Sequence, residues 1–298
     1  MAAPLRRRRS SRPAATSTTA TSTTTSTSTD SGWQLLRRYG LSLRRFWGTA
    51  VAAELEYPVN AWIEAIAVLG NLSGSLFLLQ LLFAGGASLG GWSWRGALVV
   101  LGLYTLLDGL TSCLLQPNLS RIVQHVQNGS LDFVLLKPID SQFWLSCRNL
   151  SPWGLPAMLA GLGLIGWALA LPGGEAVGPA ALLLGTLLLL AACAILYSLW
   201  FVLAALSIWF VKVWNATEVL RYALVAGRYP LSSYPAPLRL LFTFVLPVAF
   251  LTTVPAEALL GRSAPLWAAG SLLAATLSVI GSRWFWLHAQ RHYTSASS

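Results

Sequence analysis

Charge is what this 298-residue chain has least of. Only 10% of its residues are Asp, Glu, Lys or Arg, against 55% hydrophobic, where a soluble domain carries about 25% charged. That deficit excludes an ordinary water-soluble domain, and long apolar runs almost free of charge are the mark of membrane spans. Cysteine is scarce as well. Cys113, Cys147 and Cys193 stand far apart with no CxxC spacing, so they read as free thiols, and neither a disulfide framework nor a cysteine metal site is expected. There is no GxxxxGK[ST] run and no Gly-Lys pair anywhere, which removes the usual phosphate-binding loop. The HExxH motif is also missing. His288 and His292 are four apart, but two histidines without a third ligand make a poor zinc site and read as a solvated helix end. No catalytic residue and no metal are therefore expected on this chain.

The charge that is present is placed unevenly. The net charge is +10, and nearly half of the Arg and Lys precedes residue 46 while most of the rest flanks the apolar runs. That is the layout of a membrane protein, not of a basic groove for nucleic acid. Residues 1–32 open with Arg6 to Arg9 and Arg12 and then run through Ser and Thr to Ser31. With no apolar face to bury, this is expected to be a disordered basic tail beside anionic lipid; its Arg- and Ser-rich composition also fits a transit peptide. In residues 33–57, Leu36, Tyr39, Leu43, Trp47 and Val51 recur at helical spacing, interleaved with Arg37, Arg38, Arg44 and Arg45. This is a basic amphipathic helix of the kind that lies in the membrane interface.

The fold class expected is an all-α integral membrane protein: that interfacial helix, then six spans over residues 58–290 and a tail at 291–298. The spans fall at about 61–83, 95–113, 153–171, 180–210, 239–260 and 265–286, each near or above the roughly 20 residues a bilayer demands. With the N-terminus inside, the inner segments hold the N-terminal arginines, Arg121, Lys137, Arg148, Lys212, Arg221, Arg228, Arg239, Arg283 and Arg291, and the outer loops hold only Arg95 and Arg262. The positive-inside rule selects this orientation, with both termini cytosolic. The default location is a bacterial inner membrane; the tail leaves a plastid membrane open.

Few polar residues sit inside the spans. Asn60, Glu64 and Asn71 share one face of the first, and Asp108 lies late in the second with Arg121 within conceivable reach. Polar groups facing lipid are costly, so these face the bundle or a second subunit, as a translocation lining or as a hydrogen-bonded packing seam. The fifth span, "FTFVLPVAFLTTVPAEALLG", carries Pro247 in mid-run and Pro255 near its end. Each removes a backbone donor, which predicts a bend and then a separate short helix beginning at Pro255 with Glu257 in its first turn. The alternatives are an outer gate or re-entrant piece, or a kinked packing helix.

The largest inward-facing loop spans residues 114–150. "PNLSRIVQHVQNG" reads as a short helix with Ile122, Val123 and Val126 as its apolar stripe and Gly129 at the left-handed cap. "SLDFVLLKP" follows. The apolar stripe requires a cover: a partner protein, the chain's own fourth helix, or the bilayer surface.

The stretch "NGSLDFVLLKP" resembles the G-x-LD-x-x-L-x-x-P signature of integral-membrane subunits of type-2 ABC transporters. "GRYPLSSYP" at 227–235 and "LPVAFLTTVPAEALLG" at 246–261 look like the same family's later blocks, in order, and the resemblance covers about residues 35–290. It implies a permease that pairs with a second permease subunit, alike or related, and works by alternating access, mainly in the export direction. Each half would sit on a separate cytosolic ATP-binding cassette ATPase, so this chain would need no cofactor of its own; ATP is bound by the partner. The residues it marks for contact with that ATPase are Arg121, Gly129, Leu131, Asp132 and Pro138. Two other classes remain open from the residues: an ion-coupled secondary transporter, which would want an internal repeat and an intramembrane proton or ion relay, and a non-transporting membrane scaffold. For the first, no repeat links the halves and only Glu64 and Asp108 could serve a relay; the second needs neither the polar stripe nor the doubly broken fifth span.

Overall fold

A computed structural model of the chain describes residues 32–54, 56, 58–84, 89–172, 177–210 and 214–293. The Arg/Ser/Thr tail up to Ser31, Lys212 and residues 294–298 lie outside the described residues. The chain divides into two compact units, Met1–Gly40 and Leu41–Ser298, and the architecture below is that of the second. All its regular elements are helices: α1 (Gly32–Glu54, which begins in the first unit), α2 (Pro58–Phe83), α3 (Trp94–Leu110), α4 (Gln116–Gln127), α5 (Leu131–Leu135), α6 (Ser141–Cys147), α7 (Leu155–Ala170), α8 (Pro179–Ala205), α9 (Trp214–Leu224), α10 (Ala236–Leu240), α11 (Val254–Leu259) and α12 (Pro265–His292). The chain is a multi-pass integral membrane protein: among the described residues five helices are long and apolar enough to cross a bilayer.

The second of these is continuous from Trp94 to Gln127, 34 residues. The short helix expected after Pro117 is thus the lower part of the second span. A proline inside a helix normally breaks it, because it lacks an N–H and crowds the carbonyl four residues back. Here a π turn at Thr111–Leu115 widens the helix just before Pro117, and the freed Cys113 carbonyl accepts the Ser151 N–H at 2.9 Å. The lost bond is replaced from the start of the next span, so the helix runs on.

Helices α3 and α7 pack backbone to backbone through two pairs of glycines, each pair seven residues apart. A Cβ built on Gly161 would lie 2.5 Å from the Leu106 nitrogen and 2.6 Å from the Gly102 carbonyl; one on Gly109 would lie 2.6 Å from the Met158 nitrogen, and one on Gly154 would strike the Gly109 carbonyl. Between apolar helices in lipid, small residues at the seam are what permit such close van der Waals contact. Arg95, at the start of α3, ends the pairing by donating from Nε to the Ala168 carbonyl at 3.1 Å and from Nη2 to the Leu169 carbonyl at 2.9 Å. Those carbonyls belong to the last turn of α7, where helix ends lack full intrahelical bonding; Ala168 also accepts the Leu171 N–H at 3.4 Å. On the other side, α8 and α12 meet around buried Trp200, Phe201 and Trp286, with Phe201 edge-on to Trp286 at 5.5 Å.

The fifth passage is not where hydropathy puts it. Residue 232 lies against Gly90 in the α2–α3 loop, and Leu260 lies against Gly96 at the top of α3. The segment between them therefore starts and finishes at the same end of the bundle. It is a re-entrant hairpin: residues 236–245 and 249–259 are two helical arms bent by 78° at residues 246–248. The passage itself is made by α9 and the 3-10 turns after it, which climb antiparallel to α3. Arg221 and Arg228 sit at the levels of Asp108 and Tyr104, and Ser232 reaches Gly90.

Two expectations change with it. Pro247 sits at the bend and Glu257 in the first turn of α11 as expected, but that short helix opens one residue before Pro255 and follows a π turn over Ala249–Thr253 without a gap. The charge count also shifts, because Arg228 lies within the bundle beside Tyr104 and Arg239 is carried at the end that holds Arg95 and Arg262.

Candidate functional site

The insert between the second and third spans is built by caps. Helix α4 ends in a Schellman motif: Gly129 has φ +65°, its N–H reaches the Val126 carbonyl at 3.3 Å, and the Ser130 N–H reaches the His125 carbonyl at 2.9 Å. The left-handed glycine read from "NGS" is therefore present. A side chain there strains the backbone, so Gly129→Ala is expected to cost about 1 kcal/mol and to speed proteolysis of the insert in detergent without altering the rest of the digest.

The chain itself covers most of the insert's apolar residues. Ile122, Val123, Leu131 and Val134 are all buried, and Ile122, Leu131 and Val134 join the same core as Phe201 and Ala204 of α8. The fourth-span cover is thus the one realised. Leu131, marked by the resemblance as a contact, is fully buried and braces α5 from behind. The side chains that α5 and its end present to solvent are Phe133 and Leu136, 70% and 81% exposed, followed by exposed Lys137 and Pro138. The signal for them was in the sequence: in a helical turn, residues 131 and 134 share one face, which turns 133 and 136 away. Burial, with the Arg148 guanidinium adding to it, holds the Lys137 ammonium below its ordinary pKa, while Lys137 Nζ stays 4.1 Å from the centre of the Trp144 ring.

Two polar networks fasten the insert to the spans. Asn118, 1% exposed, donates from Nδ2 to the carbonyls of Leu114 and Asn149, both at 2.7 Å. Its Oδ1 accepts the Asn149 N–H at 2.8 Å and the Asn149 amide at 3.3 Å, closing the base of the insert. At the far side Asp140 caps α6, accepting the Phe143 N–H at 2.9 Å, and pairs with Arg283 of α12 at 2.8 Å. Arg283 also donates to Gln142 at 3.2 Å, Gln142 donates to the Tyr197 hydroxyl of α8 at 3.1 Å, and Tyr197 meets Ser146 at 2.9 Å. Ser141 Oγ accepts from Trp286 at 3.0 Å and Gln290 at 2.7 Å. A push on α6 therefore reaches α8 and α12 through short polar contacts.

Within the bundle, the polar residues of the first two spans are only partly brought together. Asn71 and Asp108 line one cavity of about 30 Å³ with Tyr104, Ser75 and Arg228, room for about two waters. Asn60 and Glu64 do not line it. A second cavity of about 20 Å³ adjoins Asp108 on the side of Arg221 and Leu196. The charges facing Asp108 are Arg221 and Arg228, rather than Arg121, and Arg228 Nη2 donates to the Tyr104 hydroxyl at 3.4 Å. Glu257 lies elsewhere, with Arg239 and Trp267 in a mainly apolar groove of about 370 Å³ between the arms of the hairpin. Among the described residues no group of three His, Cys, Asp or Glu is placed to hold a metal.

The family model described as "ABC-2 family transporter protein" matches residues 69–297. No curated protein matches the chain.

Proposed function

This chain belongs to the ABC-2 transporter family, whose members are membrane subunits of ABC transporters, and from that premise we propose that it is the permease half of an exporter driven by a separate ATPase. The observation that carries the reading is the pair Phe133 and Leu136. Two large apolar side chains stand in water on a five-residue helix, which is otherwise anchored by buried Leu131 and Val134. An apolar knob on a rigid base is what a cleft in a partner protein accepts. Asp132, Lys137 and Pro138 flank the knob and belong to the same contact. Export agrees with the short loops at the α2–α3 end, which offer little to a delivery protein.

The insert and both termini are assigned to the cytosol of a bacterial inner membrane. A second permease subunit covers part of α2, whose Ile63, Ile66 and Leu69 are exposed along the helix. ATP closes the two ATPases, α5 and α6 are displaced, and the Asn118 and Asp140–Arg283 contacts hand the displacement to the spans. Coupling requires that ATP bind one global state more tightly than the other.

The test is co-purification. Tagged protein extracted in mild detergent should retain an ATPase, and the double variant Phe133→Ala/Leu136→Ala should retain at least tenfold less while melting at the parent's temperature. If the double variant keeps both the ATPase and ATP-dependent transport, α5 is not the docking element.

A further inference from the structure

A second pocket lies where α1 meets the foot of the insert, away from the groove and the intramembrane cavities. It measures about 200 Å³ and is lined by Phe46, Ala50 and Glu54 of α1 with Pro117, Arg121 and Arg148. Two guanidiniums thus share one cavity, and neither has an ion pair among the described residues. Arg148 is held by stacking, its guanidinium 4.9 Å from the Trp144 ring centre and 5.6 Å from that of Phe46. Its remaining donors are left for something else. One acid shares the pocket: Glu54 accepts the Trp153 indole N–H at 2.6 Å, and its single charge stands against two guanidiniums. Lys137 acts with Arg121 and Arg148 on His125, so the whole corner is electropositive. The only acid beside it on α6, Asp140, is paired with Arg283.

The geometry points to a binding site for the phosphodiester headgroup of an anionic phospholipid, clamped by Arg121 and Arg148. Guanidinium matches phosphate oxygens with two parallel hydrogen bonds, which an ammonium cannot do. A lipid is favoured over a free anion by the other wall of the pocket. Phe46 and Ala50 belong to α1, which also exposes Arg44 and Arg45 and carries Trp47, 36% exposed, whose indole donates to the Cys147 carbonyl at 3.0 Å. A basic amphipathic helix of this kind lies among headgroups and attracts acidic lipid. A lipid seated here would touch α1 and both strands of chain at the base of the insert, so its occupancy would stiffen the insert against the interfacial helix.

Native mass spectrometry of the full-length permease, equilibrated with equal phosphatidylglycerol and phosphatidylcholine of matched chains, tests this on the chain alone, independently of any ATPase. One phosphatidylglycerol should be retained per chain. Its occupancy should fall at least fivefold in Arg121→Gln/Arg148→Gln and stay unchanged in Arg291→Gln at the end of α12. In the parent protein, retention should also weaken as salt rises from 0.05 to 0.5 M, as screening of a charge contact requires. Equal retention of phosphatidylcholine, salt-independent retention, an unaffected double variant, or full displacement by millimolar inorganic phosphate would each overturn the assignment, the last by making it a site for soluble anions.

Discussion

Substitution of Gly161→Val is expected to destabilise the protein by about 3 kcal/mol or more, the upper part of the range for overpacked interiors, and to leave little folded protein after extraction. The Cβ alone would fall 2.5 Å from the Leu106 nitrogen and 2.6 Å from the Gly102 carbonyl. Both are main-chain atoms of α3, so neither can swing aside as a flexible side chain would. The helices must separate, and with them the contacts of Gly109 with Met158 and of Arg95 with the end of α7. Two neighbours on the same helix supply the control: Gly163 and Gly166 have nothing within 4 Å of a built Cβ. Gly163→Ala should be neutral or stabilising by up to about 1 kcal/mol, since glycine is the poorer helix former. Thermal melts of the variants in one detergent decide the matter. Equal loss at 161 and 163 would mean that helix propensity, rather than contact with α3, sets the cost.

The second large effect is expected at Asn118. Asn118→Ala removes four hydrogen bonds and strands the Asn149 N–H at a partly buried site. Each unsatisfied buried group costs about 1–3 kcal/mol, so a total of roughly 2–4 kcal/mol is expected. Beyond the lower melting temperature, the variant should uncouple: in the assembled transporter, ATP turnover should persist while transport falls at least tenfold, because the base of the insert can move without moving the spans. A variant that melts early but transports in proportion to its ATP turnover would assign Asn118 to stability alone.

The sequence discloses the helical membrane class, the place of five of the six passages and the capped insert, because each is written in local signals: apolar length, Pro near an entry, Gly at a left-handed cap. The fifth passage is hidden for a physical reason. Residues 214–233 carry Glu218, Arg221 and Arg228 and look too polar for lipid, whereas 239–260 look oily. The structure offsets the polarity of the passage with Asp108 and Tyr104 of α3, partners more than 100 residues away. The hairpin, by contrast, is apolar because it dips into the membrane without crossing it. The second span is legible in place but not in length, since nothing before Pro117 announces the π turn or the Ser151 N–H that takes up the spare carbonyl. At the candidate site, Gly129 and Pro138 were readable from local pattern. That residues 131 and 134 share a face turned away from 133 and 136 was readable too; which of the two faces α8 covers was not. The glycine ladder was visible as spacing, 102 with 109 and 154 with 161, but spacing alone does not say which helix lies opposite.

The unbroken helix from Trp94 to Gln127 has a mechanical consequence. At 1.5 Å per residue its 34 residues make a lever about 50 Å long, with exposed Phe133 and Leu136 just past its foot and the α2–α3 loop at its head. A swing of only about 10° at the foot would carry the head through roughly 9 Å if the rod were stiff. The one joint in it is the widened turn before Pro117, where the Ser151 bond acts as a latch. Whether force arriving at the foot turns the whole rod or is spent at that joint is thus set by the Ser151 bond together with the Asn118 bonds to Leu114 and Asn149.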